Sequence, residues 1–154
     1  SFKTKPFEDW KKLQWIGFYT ELQKEIPANW GIVSNARGGF LGFDWGYHKI
    51  NLNNAHFEQY LQLEEENFVF KIHVEDESKR RQIRDNYRKS FFKYANNNNL
   101  SVQKCGKTGK TMSIAKLNDN YIISDNQNQI DIPKTLDNIK YITNLINKFS
   151  ISER

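Results

Sequence analysis

The stretch Tyr60–Val74, YLQLEEENFVFKIHV, leaves the chain few choices of fold. Leu61 and Leu63 alternate with Gln62 and Glu64. After Glu65–Glu66–Asn67, the residues Phe68, Phe70 and Ile72 alternate with Val69, Lys71 and His73. Successive strand side chains point to opposite faces, so the pattern predicts two half-buried strands joined by a tight polar turn. Upstream, Leu41, Phe43, Trp45 and Tyr47 share one parity. Gly38–Gly39, just before them, fits a hairpin turn that needs positive φ. Asn29–Glu75 therefore predicts an antiparallel sheet with one strongly aromatic face. The Asn-rich segment His48–His56 reads as a loop or short turn inside it.

Helices flank this sheet. Pro6–Glu25 reads as a helix with Pro6 in its first turn and Glu8 and Asp9 at the positive end of the dipole. Trp15, Tyr19, Leu22 and Ile26 form its apolar stripe, with Phe18 beside it, and Pro27 ends it. Glu75–Asp76–Glu77–Ser78 suits the N-terminus of a second helix, roughly Ser78–Ala95, with Ile83, Tyr87, Phe91 and Tyr94 on the inner face. Asn96–Asn99 breaks that helix. Leu100–Cys105 and Thr111–Leu117 read as strands joined by the turn Gly106–Lys110. Tyr121–Ser124 reads as a short edge strand and Gln127–Ile132 as a polar loop. Pro133 opens a last helix carrying Leu136, Ile139, Ile142 (or Thr143) and Ile146 inward. The order is α-ββββ-α-ββ(β)-α. It predicts an α+β fold, an antiparallel β-sheet of about six strands with helices packed on one face.

A length of 154 residues fits one domain, 1–154, with a real core. No apolar run approaches the roughly 18 residues that span a membrane. A single cysteine, Cys105, permits no intrachain disulfide and fits a reducing cytoplasm. The SFKTKPF start without methionine suggests one domain of a longer protein. The net charge of +5 permits nucleic-acid binding without requiring it.

Several constellations carry candidate chemistry. KCGKTGKT at Lys104–Thr111 ends like a phosphate loop, but its glycines are too close together. The following segment alternates like a strand, so a hairpin turn is the simpler reading. Asp44, Glu64 and Lys71 could share the polar sheet face, yet Glu64 and Lys71 lie on different strands and do not form a metal-nuclease motif. His48, His56 and His73 have no metal-ligand spacing. Arg81, Arg84 and Arg88 form a stripe on the second helix, and Lys107 and Lys110 sit in the glycine turn. Guanidinium groups suit phosphates, so these five residues are the candidate nucleic-acid contacts. A solvated helix face is the competing reading.

At Trp30–Ile72, the series WGIVSN, GGFLGFDW, YLQLEE and FVFKI resembles the C-terminal region of PD-(D/E)XK-superfamily nucleases of bacterial and phage-defence type. The later arginine–tyrosine helix and the TMSIAKL strand extend the resemblance to about Leu145. Many members carry an aromatic where this chain has Asp44. The resemblance implies a non-catalytic accessory domain that binds nucleic acid or senses a ligand for a DNA-cutting partner. The nuclease core, with its Mg²⁺ and catalytic acids, would lie upstream, and no catalytic residue carries over to this chain. The partners implied are nucleic acid and an upstream nuclease domain or partner protein. Two alternatives stand beside this one. The first is an interaction or dimerisation domain, giving a homo-oligomer through a sheet edge or the Phe7–Trp10 surface. The second is a small enzyme with an unrecognised site.

Overall fold

The computed structural model describes residues 1–52 and 54–152. Six strands form one antiparallel sheet: β1 (Asn29–Val33), β2 (Phe40–Leu52), β3 (Ala55–Glu64), β4 (Asn67–His73), β5 (Val102–Lys104) and β6 (Thr111–Leu117). Their spatial order is β1-β2-β3-β4-β6-β5. Three helices complete the fold, α1 (Lys12–Gln23), α2 (Arg80–Asn97) and α3 (Ile132–Ser152). This is the α+β class and the element order that the alternation and the helical stripes predict.

Cross-strand partners share a face, so the register fixes what the helices cover. Phe43, Leu63 and Phe68 stand in one row, and Trp45, Leu61 and Phe70 in the next. All three helices reach these rows. Tyr19 of α1 packs on Phe43, with ring centroids 5.3 Å apart, and Phe91 of α2 packs on Phe70 at 4.9 Å. The Trp45 indole donates to Thr143 Oγ1 of α3 at 3.0 Å. The opposite row Asp44, Gln62, Val69 and Lys116 lies on the face that the helices leave open.

Four expectations need correction. His48–His56 is not a loop: β2 continues to Leu52 and β3 begins at Ala55. The strand ends lie close together, with position 53 outside the described residues. A bulge between Trp45 and His48, where Gly46 has φ +72°, shifts the parity. Leu41, Phe43 and Trp45 are buried, but Tyr47 is 46% exposed, and Ile50 takes its place in the core. Tyr47 instead stacks flat on Tyr60 of the open face, 4.8 Å away and 8° from parallel.

The first helix starts later than Pro6. Two 3₁₀ turns, Phe2–Thr4 and Phe7–Asp9, precede it. Trp10 is extended, which swings its ring against Trp15 and Phe18 at 4.8 and 5.3 Å. Its indole N–H donates to Lys5 O. The Phe7–Trp10 surface is therefore folded inward at Trp10, which is buried, while Phe7 is half-buried. Tyr121–Ser124 forms no edge strand. Its single bridge pairs Ser124 with Ile130, and Tyr121 is wholly buried, packed on Phe18 and Phe68, with its hydroxyl donating to Glu65 O.

Candidate nucleic-acid interface

Between Lys79 and Lys110 the chain carries ten lysines and arginines against one acid, Asp85. That is +9 in a protein of net charge +5, so the remainder is net acidic at −4. The concentration belongs to α2 and the β5–β6 turn, which the fold holds against each other.

The cations of α2 divide by spacing. Residues four apart share a helix face, and Arg80, Arg84 and Arg88 form such a row. Arg80 donates to Val74 O and Glu75 O, at 3.0 and 3.3 Å. Arg84 Nη1 donates to Thr108 Oγ1 at 2.6 Å, and its other nitrogens reach Asp85 Oδ1. Arg88, only 8% exposed, donates to Ile114 O at 3.0 Å and Cys105 O at 2.7 Å, with Ser113 O at 3.4 Å. A charged donor serving backbone carbonyls is among the stronger hydrogen-bond arrangements. Burial, and then the neighbouring Arg84 cation, lower the Arg88 pKa from its ordinary value. The Arg81–Arg84–Arg88 stripe is thus split. Arg84 and Arg88 face the β5–β6 turn, and Arg81 is exposed.

The turn itself depends on Gly106. Its φ is +90°, and a Cβ there would lie 2.3 Å from Ser113 O. Beyond it, Lys107 is exposed. Lys110 is exposed too, and its Nζ lies 3.6 Å from Glu75 Oε2, a loose surface pair of little energetic consequence. Lys104 and Lys89, absent from the sequence-derived candidates, join this surface: a shallow depression bounded by Asp85, Arg88, Lys89, Phe92 and Lys104 connects α2 to β5. The strand-to-helix proximity that assembles it is a tertiary contact, which no local sequence pattern reports.

Comparisons with protein-family models, curated proteins and solved structures return no significant match to this chain.

The open sheet face presents different chemistry. Asp44, Glu64 and Lys71 do share it, with Glu64 Oε2 3.8 Å from Lys71 Nζ. Burial lifts the Glu64 carboxyl above its ordinary range, and Lys71 and Lys116 pull it partly back. Tyr47 donates to Asp44 Oδ2. Among the described residues, the buried Gln62 side-chain oxygen has no hydrogen-bond partner. Among the described residues, no group of three or more His, Cys, Asp and Glu side chains could hold a metal ion, and no helix is long and apolar enough to cross a membrane. Burial, and then Glu64, raise the Cys105 thiol pKa, which disfavours a nucleophilic thiolate.

Proposed function

We propose that this chain is a nucleic-acid-binding accessory domain of a PD-(D/E)XK-type nuclease system, contacting phosphates through α2 and the attached β5–β6 turn. The observation that carries the binding is the +9 charge between Lys79 and Lys110, mounted on a helix and a turn stapled together by Arg84 and Arg88. The staple matters because exposed cations on a fixed surface lose less conformational freedom on meeting a phosphate backbone. Arg81, Lys89, Lys93, Lys104, Lys107 and Lys110 are the outward cations of this surface. The nuclease association rests on the sequence resemblance over Trp30–Leu145. Arg84 and Arg88 act here by positioning the turn.

The test is binding of labelled DNA and RNA across a salt series. If about six phosphates are engaged, affinity falls roughly 10³-fold between 50 and 200 mM salt. Changing Arg81, Lys104 and Lys107 together to Gln should reduce the salt slope by about 3 and weaken all sequences alike. A salt-independent affinity, or a triple variant that binds like the parent, would sink the proposal. One observation favours a second reading: β1 is a sheet edge on which Ile32 is exposed. Self-association through that edge would survive high salt and respond to Ile32→Lys.

A further inference from the structure

A second concavity lies on α2, on the side away from the β5–β6 turn. It is a cleft of about 660 Å³ between the helix and the closed end of the β2–β3 hairpin. That volume is in the range of small-molecule sites. Its floor is apolar, formed by Ile50, Phe57 and Ile83. Its helical wall carries Gln82, Asn86 and Ser90, four residues apart and therefore in one line along the cleft. Lys79 stands at one end, and Lys89 and Lys93 at the other. No aspartate or glutamate is among the described lining residues.

We infer that this cleft takes one unpaired nucleotide of a single strand. The inference rests on the nucleic-acid-binding reading and narrows it to single-stranded substrate. A nucleobase has two apolar faces and a polar edge. The floor matches the faces, and the amide–hydroxyl line supplies donors and acceptors to the edge. The lysines at both ends complement the phosphates on either side of an inserted base. A simple acyl chain would fill the floor but leave the polar line without hydrogen-bond partners. A duplex cannot place a base in such a cleft without extruding it, which costs unstacking energy. The cleft and the outward cations share α2, so one strand can meet both.

The test compares single-stranded DNA and RNA oligomers with the matching duplex, by anisotropy at low salt, on the full chain. Ser90→Trp fills the cleft from its wall and leaves the charge unchanged. Asn86→Leu removes one polar group at nearly constant shape. Both variants should lose about tenfold or more in single-strand affinity, the loss expected for one base contact, with duplex affinity within about twofold. Preference for the DNA or the RNA oligomer identifies the sugar. Separately, adenosine or cytidine 5′-monophosphate should shift the amide resonances of Gln82, Asn86 and Ser90. Salt-dependent binding that neither variant alters, or that both alter equally for duplex and single strand, overturns the cleft and leaves the basic surface standing. Cleft resonances that respond to the monophosphate in a chain that binds no polymer overturn the functional reading and leave the cleft. Absence of both signals overturns both.

Discussion

α1 and α2 lie on the same face of the same sheet, yet they use it differently. α1 turns Trp15, Phe18, Tyr19 and Leu22 inward, where they meet Phe2, Trp10 and Phe43 in a continuous aromatic cluster. A deep polar contact comes from the Tyr19 hydroxyl, which donates to Leu41 O and accepts from Glu65 N. α2 also buries an apolar row, Ile83, Tyr87, Phe91 and Ala95. Beside that row, however, it buries a guanidinium, and its exterior presents Arg81, Lys89 and Lys93. The first helix closes the core, and the second spends part of its inner surface on anchoring a turn. The contrast shows how neighbouring cations on one helix can take opposite tasks, according to whether they fall on the four-residue row facing the turn.

The largest effect should come from the aromatic end. Phe18 is fully buried among rings at 5.3 to 6.3 Å. Phe18→Ala should cost about 3–5 kcal/mol, read from denaturant unfolding. The salt slope of nucleic-acid binding should stay unchanged wherever the variant remains folded. A cost under about 1 kcal/mol would mean that the cluster is not the anchor described.

Arg88 comes next. Arg88→Gln removes charged hydrogen bonds to the carbonyls of Ile114 and Cys105, at roughly 2–3 kcal/mol. Hydrogen exchange in Gly106–Lys110 should accelerate. Arg81→Gln, one helical position outside the anchoring row, should change stability by under about 0.5 kcal/mol and act on binding alone. Equal stability losses at the two positions would dissolve the division between anchoring and presenting cations. The exposed Arg84–Thr108 link sharpens the same point at smaller scale. A double-mutant cycle of Arg84→Gln and Thr108→Val should give a coupling of about 0.5–1 kcal/mol, and none if the hydrogen bond is incidental.

These contrasts were unevenly legible in the sequence. Alternation at Leu61–Leu63 and Phe68–Ile72 identified the central strands and their inner face, because burial on one side imposes a period of two. Helical stripes identified α2 and α3 for the same reason. Tyr47 escaped, since a bulge inserts one residue and reverses parity while leaving the local alternation intact. The Asn-rich end of the β2–β3 hairpin escaped because its pairing is set by the partner strand and not by its own residues. On the basic surface, the charge density was plain, but the sequence could not separate Arg81 from Arg88. That separation depends on where β5, β6 and their turn land against α2. The cleft escaped wholly, being assembled from the hairpin and a helix more than twenty residues apart.

The smallest predicted effect is a pH dependence, and it separates the open sheet face from the exposed loop that follows β4. On the open face, burial is the chief cause that raises Glu64 above its ordinary pKa of 4.5, and Lys71 and Lys116 oppose it. The folded state therefore holds the Glu64 proton more tightly than the unfolded chain does. Between 4.5 and the raised value, stability through this group falls as pH rises. Near the anchored turn the sign reverses. Hydrogen bonding from His73 and then the charge of Lys110 lower Glu75, and hydrogen bonding from Ser78 lowers Asp76. Their contributions are present above the unfolded pKa values and are lost as pH falls through the folded ones. Carboxyl NMR titration should place the Glu64 midpoint above 4.5 and those of Glu75 and Asp76 below their ordinary values. Lys71→Met should move Glu64 further upward, because it removes the largest opposing charge. An unmoved midpoint in that variant would show that Lys71, at 3.8 Å, is too well hydrated to act on the carboxylate, and that solvent reaches further into the open face than the burial of Gln62 implies.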